Sequence, residues 1–138
     1  IVAHENVRKR MSSEQFIAAL GMKVPPAPRA ALPVITFRDS MTFHWNGDTV
    51  DVIHVAPAHT DGDSVVRFKT ANVLHTGDIY FNGFYPFMDA SSGGSLAGMI
   101  AGATQLLKLV DDKTQIIPGH GKLSKKSELA AYVSMLTT

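Results

Sequence analysis

The sequence predicts an α+β fold, in which a mixed β-sheet carries helices on one face. Short apolar segments separated by turn residues dominate the first part of the chain, whereas the last third reads as helix, strand, helix. Strands that precede helices in this order are typical of a mixed sheet with its helices on one side. The 138 residues, 45% of them apolar, predict one domain that spans residues 1–138.

Two short helices are predicted near the start of the chain. Asn6 is a suitable cap for a helix over Val7–Met11. Ser12 or Ser13 then begins a second helix, which Gly21 ends. Its apolar face would carry Phe16, Ile17 and Leu20.

Strands and turns fill most of the middle of the chain. Asn46-Gly47-Asp48 is a strong turn signal, so Met41–Trp45 and Thr49–Val55 form a predicted hairpin. The other predicted strands are Ile1–Ala3, Pro33–Phe37, Ser64–Lys69, Asn72–His75 and Gln115–Ile117. The predicted loops are Val24–Pro33, residues 56–63, Asp78–Gly94 and Pro118–Gly121.

Two longer helices are predicted in the last third. Ser95 caps a helix that runs to about Val110, and Ser124 or Ser127 begins the terminal helix. The buried face of the first is predicted to carry Leu96, Met99, Ile100, Ala103, Leu106 and Leu107.

Composition excludes several classes of function. A net charge of +1 with no long basic run gives no reason to expect a nucleic-acid partner. Every apolar segment is short and interrupted, so no membrane partner is expected. The absence of cysteine excludes disulfides and thiolate metal sites, and it assigns no cellular compartment. Any metal must therefore be held by His, Asp or Glu.

Three residues share one structural context. His59, Asp78 and His120 each follow a predicted strand and begin a turn that contains glycine. Strands that end at the same edge of a sheet would bring these side chains together. Imidazole and carboxylate suit zinc or iron, and a shared carboxylate can bridge two ions. Taken singly, a histidine or aspartate at such a position is more often a surface or turn residue than a metal ligand.

The residues around these three positions carry a family resemblance. The segments are Ala58-His59-Thr60-Asp61-Gly62-Asp63-Ser64, His75-Thr76-Gly77-Asp78 and Ile117-Pro118-Gly119-His120-Gly121. In order and context they resemble successive metal-site motifs of the metallo-β-lactamase superfamily, which includes lactamases, glyoxalase II-type thioesterases and many unassigned hydrolases. The resemblance covers nearly the whole chain.

The resemblance implies a fold, a metal centre and a reaction. The fold would be the metallo-β-lactamase-like αββα sandwich, with this chain as its C-terminal half. His59 would complete a three-histidine first site, Asp78 would bridge two metals, and His120 would belong to the second site. The complete fold would hold two zinc ions, although iron and manganese accept the same ligands. Metal-bound hydroxide would attack the carbonyl of a small-molecule ester, thioester or amide.

One part of the family pattern is missing. The leading signature, His-x-His-x-Asp-His, does not occur in this sequence. The chain opens on the apolar run Ile1–Ala3, whereas natural termini tend to be polar, so we expect the signature to lie before residue 1. We therefore expect this chain alone to hold no ion or one weakly bound ion, and to be inactive.

Further residues are candidates for the surroundings of the centre. Asp63 is predicted to hydrogen-bond within its loop and to help orient His59. His75 is predicted to orient a metal ligand, and the alternative is a simple strand-end histidine. Substrate-pocket candidates come from the aromatic cluster between residues 80 and 87. The cluster could equally pack upon itself and anchor its loop. The pocket candidates are Tyr80, Phe84 and Tyr85.

A non-catalytic role is the alternative function. Half of a sandwich exposes an apolar sheet face and unpaired edges. Such a chain could act as an oligomerising or interaction module. In either case we expect a homodimer or higher oligomer that covers the exposed face.

Overall fold

The computed structural model describes residues 1–55 and 57–138, and of Ala19 only the backbone. Residue 56, at the start of the predicted loop 56–63, therefore lies outside the described residues. The strands are β1 (Val2–His4), β2 (Gln15–Ile17), β3 (Met22–Val24), β4 (Ile35–Phe37), β5 (Ser40–Trp45), β6 (Asp48–His54), β7 (Ser64–Phe68), β8 (Val73–Phe81) and β9 (Gln115–His120). The helices are α1 (Glu5–Met11), α2 (Leu96–Leu107) and α3 (Lys126–Thr137).

The main sheet has five strands in the order β5-β6-β7-β8-β9. Its first four strands run antiparallel to their neighbours, and β9 joins β8 in parallel, so the predicted mixed sheet is confirmed. The predicted hairpin between β5 and β6 is also confirmed. Asn46 and Gly47 have φ values of 50° and 75°, the left-handed pair that a tight two-residue hairpin turn requires.

Helices α2 and α3 cover one face of this sheet, as predicted. Val65, Leu74 and Ile116 are fully buried on that face and share one core with residues of both helices. The helix residues are Met99, Ala103, Leu106, Leu129 and Tyr132. Ser95 caps α2, as predicted, through a hydrogen bond from the Gly98 amide. Leu96 was predicted to be buried, but it is half exposed because it lies in the first turn, beyond the edge of the core.

The opposite face of the sheet is apolar and open at the β5 edge. Strand register places Met41, Val52 and Val66 in one row across this face, and all three are partly exposed. Further along β5, Phe43 and Trp45 point the same way, and Trp45 is 72% exposed. At the other end of β6, His54 is covered by His4, whose ring stacks on it with a centroid separation of 3.8 Å.

The N-terminal part differs from the prediction. The predicted helix after Ser13 is wrong: β2 and β3 form an antiparallel hairpin joined by a single 3-10 turn. Phe16 and Leu20 are 53% and 65% exposed, so no surface is available to bury the apolar face of a helix. The cap of α1 is also different, because the His4 side chain, rather than Asn6, accepts the hydrogen bond from the helix terminus.

Two strands near the site are longer than predicted. Strand β8 continues through Asp78 to Phe81, so Asp78 lies within a strand rather than in a loop. Strand β9 likewise continues to His120. The cause is the parallel pairing of β8 with β9, which extends through Gly77 and Phe81 with two register shifts. No helix among the described residues has the length and apolar character needed to cross a membrane.

Candidate metal centre

The structure brings His59, Asp78 and His120 together at one edge of the main sheet. His59 Nε2 lies 3.8 Å from Asp78 Oδ2, and His120 Nε2 lies 3.4 Å from Asp78 Oδ1. His59 comes from the loop after β6, Asp78 from the middle of β8 and His120 from the end of β9. Their predicted convergence is confirmed, whereas their role as metal ligands stays a prediction.

The two imidazoles face different oxygens of one carboxylate. Two atoms that each lie about 2.0–2.2 Å from the same tetrahedral zinc ion are about 3.4 Å apart. The separations of 3.8 and 3.4 Å therefore fit two His–carboxylate pairs that share Asp78. Within the described part of the chain, no group of three or more His, Asp or Glu side chains could hold a metal ion. The donor types are those that zinc or iron accepts, but the described residues supply only a pair of donors on each side of Asp78.

Strand β9 approaches Asp78 closely because residue 119 is glycine. A Cβ atom on Gly119 would lie 2.2 Å from Asp78 Oδ1 and 2.6 Å from the Gly77 carbonyl. Both separations are far shorter than any van der Waals contact. The glycine therefore allows His120 to reach the carboxylate of the neighbouring strand.

Asp63 holds the backbone of the His59 loop. One carboxylate oxygen accepts hydrogen bonds from the amides of His59 (2.6 Å) and Thr60 (3.0 Å), and the other accepts one from the Thr60 hydroxyl (2.6 Å). Burial alone would raise the pKa of Asp63, but the nearby His59 side chain and these hydrogen bonds outweigh it and hold that pKa below its usual value. The predicted hydrogen bonding of Asp63 within the His59 loop is therefore observed, whereas its role beside a metal ligand stays a prediction.

The same carboxylate also acts on the His59 ring. His59 Nδ1 lies 3.8 Å from Asp63 Oδ1, and the negative charge raises the pKa of His59 against the opposing effect of burial. At 3.8 Å the contact is longer than a hydrogen bond, so it acts through charge. The His59 ring is 19% exposed, whereas the His120 ring is 59% exposed.

His75 is not brought to the centre. Its side chain is exposed, and its Nδ1 accepts a hydrogen bond from the Gly77 amide at 3.1 Å. No described hydrogen bond connects it to His59, Asp78 or His120. The contacts of His75 are those of a strand-end histidine.

The aromatic candidates separate into buried and exposed residues. Together with Phe84 and Tyr85, Tyr80 lines a cavity of about 620 Å³, and the use of that cavity by a substrate stays a prediction. Tyr80 itself is fully buried, and its hydroxyl pairs with Ser124 at 2.9 Å. It belongs to the core because β8 turns its side chain towards α3, where its ring meets Tyr132. Phe84 and Tyr85 are 59% and 86% exposed and line a cavity of about 260 Å³ beside His120.

Two phenylalanines contact the predicted ligands. The Phe81 ring stacks on His120 with a centroid separation of 4.8 Å, and the Phe87 ring lies 5.8 Å from that of His59. The aromatic cluster between residues 80 and 87 is the sequence signal that could have found both. An ion pair between Arg10 and Asp61 also reaches the His59 loop, and sequence reasoning missed it. The two residues are 51 positions apart, and neither lies in a recognisable pattern.

Comparisons with solved structures place the fold among metallo-beta-lactamases. A metallo-beta-lactamase from Pontibacter korlensis has a TM-score of 0.67 at 20% identity, with 78% of this chain and 50% of that chain covered. The archaeal superfamily protein ST1585 from Sulfolobus tokodaii has a TM-score of 0.69 at 13% identity, with 99% and 57% covered. TTHA1623, solved in a di-iron-bound form, has a TM-score of 0.62 at 22% identity, with 94% and 61% covered.

The chain spans between 48% and 65% of the length of such solved structures. No curated protein sequence gives a significant match. At these identities the structural likeness establishes the fold. The family model described as metallo-beta-lactamase superfamily matches residues 2–120, which is most of the chain. This protein therefore belongs to the metallo-beta-lactamase superfamily and has a fold of the metal-dependent hydrolase type.

Proposed function

We propose that this chain contributes His59, Asp78 and His120 to the metal centre of a hydrolase. The observation that carries the proposal is the placement of the two Nε2 atoms against separate oxygens of Asp78, at 3.8 and 3.4 Å. A carboxylate between two imidazoles is suited to bridging two ions. Membership of a superfamily composed mostly of metallo-hydrolases supports the same function.

Zinc is the ion that we propose, and two ions would share Asp78 in a complete centre. Iron and manganese accept the same ligands, and the di-iron form of TTHA1623 makes iron the first alternative. Metal ions at such a centre lower the pKa of water and polarise a carbonyl oxygen, which is the chemistry that hydrolysis requires. Within this chain, Asp63 keeps the His59 backbone in place, and Phe81 supports the His120 ring.

A small ester, thioester or amide is the proposed class of substrate. The cavity of about 260 Å³ beside His120 is lined by Phe81, Phe84 and Tyr85. Its size and aromatic walls suit one apolar group of a small molecule rather than a polymer. The reacting carbonyl would then lie next to His120, at the open side of the centre.

The ligand count limits what the chain can do alone. Each proposed ion would have one histidine and one oxygen of Asp78, whereas a catalytic zinc site usually has three protein ligands. We therefore propose that the 138 residues bind metal weakly and that hydrolysis needs further ligands in addition to these.

Metal titration tests the proposal. Zinc or cobalt(II) is titrated into the chain by calorimetry, and the same is done for His59→Ala, Asp78→Asn and His120→Ala. We expect weak binding that falls by about tenfold or more in each variant, with the largest loss for Asp78→Asn, because that residue serves both ions. His44→Ala is the control, because His44 is exposed on β5. Unchanged affinity in Asp78→Asn would overturn the assignment.

A second candidate function is an oligomerising module. The observation that favours it is the open sheet face, where Phe43 and Trp45 lie 36% and 72% exposed on the side opposite the helices. Soluble monomers rarely leave large contiguous apolar patches uncovered. We propose that a second copy covers this face, so that two sheets stack at about 10 Å.

Light scattering at micromolar concentration tests the second candidate. A dimer is expected for the unmodified chain, and Trp45→Ser should shift it towards monomer. Tyr85→Ser is the matched control, because Tyr85 is an exposed aromatic residue at another place in the fold. A monomeric unmodified chain would show that the face needs no second copy.

A further inference from the structure

We infer that Arg10 is a positioning residue for His59 and that it acts through Asp61; the inference rests on the proposed role of His59 as a metal ligand. Arg10 lies in α1, and Asp61 lies in the His59 loop, two residues after the histidine. The link between them joins the N-terminal helix to the segment that carries the predicted ligand.

The contact between the two side chains is bidentate. Arg10 Nε donates to Asp61 Oδ1 at 2.8 Å, and Arg10 Nη2 donates to Asp61 Oδ2 at 2.7 Å. Both side chains are partly buried, at 30% and 24% exposed. A planar guanidinium with two parallel hydrogen bonds fixes the orientation of a carboxylate as well as its distance. The Asp61 carboxylate is also what raises the pKa of Arg10.

Asp61 is held at its backbone as well. Its amide donates to the Ser92 carbonyl, and its own carbonyl accepts a hydrogen bond from the Asn6 side chain, both at 2.9 Å. Arg10 Nη1 adds a longer contact of 3.4 Å to the Ser91 carbonyl. Arg10 therefore ties the His59 loop to the turn around residues 89–92, and Asn6 fastens the same loop to α1.

The turn around residues 89–92 returns to His59 itself. The Asp89 amide donates to the His59 carbonyl at 3.0 Å. The loop and this turn bring Asp61, Asp63 and Asp89 into one region of the fold, and Arg10 is attracted by Asp61 and Asp89. Removing the cation would leave carboxylates repelling one another across a partly buried contact. We expect the loop to relieve that repulsion by moving, and the His59 ring to move with it.

The alternative is that the Arg10–Asp61 ion pair only holds α1 against the rest of the fold and does not position His59. A second ion pair of the same helix provides the matched control, since Arg38 Nε donates to Glu5 Oε2 at 2.9 Å and makes no described contact with the His59 loop. Arg38→Met therefore removes an arginine–carboxylate link of α1 and leaves the loop untouched. If docking of the helix were all that mattered, both arginine variants would behave alike.

The experiment compares Arg10→Met, Arg10→Lys, Asp61→Asn and Arg38→Met in the full chain. Cobalt(II) affinity and the visible spectrum of the bound cobalt are measured at a temperature where each variant is folded. Histidine ring signals are recorded by NMR without metal. We expect Arg10→Met and Asp61→Asn to weaken cobalt binding by about tenfold, as removal of an outer partner of a metal ligand typically does. Arg10→Lys should recover part of the loss, and Arg38→Met should bind as the unmodified chain does.

The NMR signals show whether a negative result contradicts the positioning role of Arg10 or the proposed metal centre. Arg10→Met should shift the His59 signals and leave those of His120 in place, whether or not metal binds. If the unmodified chain binds no cobalt while the His59 signals still shift, the metal centre fails and the positioning role stands. Unchanged His59 signals and affinity in both Arg10→Met and Asp61→Asn would overturn the role of Arg10, as would an equal loss in Arg38→Met. If Arg10→Met does not fold, Asp61→Asn decides the question.

Discussion

The two histidines beside Asp78 are held in different ways. His59 lies on an irregular loop, its ring is 19% exposed, and the loop is tied by Asp63, Asp61 and the turn around residues 89–92. His120 is the last residue of β9, and its ring is 59% exposed and stacked on Phe81. One position depends on a network of polar contacts, and the other depends on the pairing of β9 with β8.

This difference divides the proposed site into a fixed side around His59 and an open side around His120. A ligand whose surroundings are locked before metal arrives loses little entropy on binding. An exposed ring beside an aromatic cavity leaves room for substrate. We therefore expect changes on the His59 side to act on stability and metal affinity, and changes around the His120 cavity to act mainly on ligand binding.

The largest effect is expected where α2 touches the His59 loop. A Cβ on Gly98 would lie 1.5 Å from the Pro57 carbonyl oxygen, so Gly98→Ala must push α2 and the loop apart. We expect a loss of about 3 kcal/mol in the free energy of unfolding, at the upper end of ordinary overpacking. Urea denaturation measures this change in the free energy of unfolding.

Gly102→Ala is the control for Gly98→Ala. Gly102 is in the same helix, but its added Cβ would meet side chains rather than backbone: Val55 at 3.0 Å, Ile79 at 3.3 Å and Ala58 at 3.4 Å. Its cost should be under about 1 kcal/mol, because alanine also favours the helix. Equal destabilisation by Gly98→Ala and Gly102→Ala would contradict a close contact between α2 and the His59 loop at Gly98.

Asp63→Ala should come next in size. It removes the acceptors of the His59 and Thr60 amides and of the Thr60 hydroxyl. Because these partly buried donors would lose their hydrogen-bond partner, we expect the free energy of unfolding to fall by about 2 kcal/mol. We also expect weaker metal binding. Asp112→Ala, at an exposed position, is the control and should be neutral. His120 NMR signals that move as far as those of His59 would contradict the division into two sides.

A pH effect on stability is expected from His4, which caps α1. Burial, followed by the charge of His54, lowers the pKa of His4 below 6.5, while the Arg38 backbone, Glu5 and Asp61 oppose the shift. The unfolded chain therefore binds the proton more readily than the folded chain. The stability that depends on neutral His4 is complete above pH 6.5 and is lost as the pH falls towards the lowered pKa.

His4→Asn tests this effect, because asparagine keeps a capping acceptor for α1 and does not titrate. The urea midpoint should fall less in His4→Asn than in the unmodified chain when the pH is lowered through 6.5. His44→Asn, the same change at an exposed position, should behave as the unmodified chain does. The same acid sensitivity in all three proteins would exclude His4 as its source.

The smallest effect on stability is expected for Phe84→Ala. Phe84 is 59% exposed beside His120, so unfolding free energy should change by less than about 0.5 kcal/mol and metal affinity should stay the same. Binding of a small aromatic probe, followed by NMR, should weaken. Phe87→Ala, beside His59, is the comparison and should affect the probe less. A clear loss of stability in Phe84→Ala would show that the cavity wall is structural.

Residues with strong local preferences were predictable from the sequence. The Asn46-Gly47 turn, the Ser95 cap and the mixed sheet were found because each depends on neighbouring residues or on short periodic patterns. The convergence of His59, Asp78 and His120 was predictable because each is attached to a strand, and strands of one sheet share an edge.

Only the tertiary structure decided the features that depend on distant contacts. A helix after Ser13 was plausible locally, but no surface buries Phe16, and a hairpin forms instead. Pairing with β9 extended β8 through Asp78, and packing against α3 buried Tyr80. The Arg10–Asp61 pair joins residues that are 51 positions apart, and no local pattern encodes such a contact. Local propensity is a property of a few adjacent residues, whereas burial and long-range pairing exist only once the chain has folded.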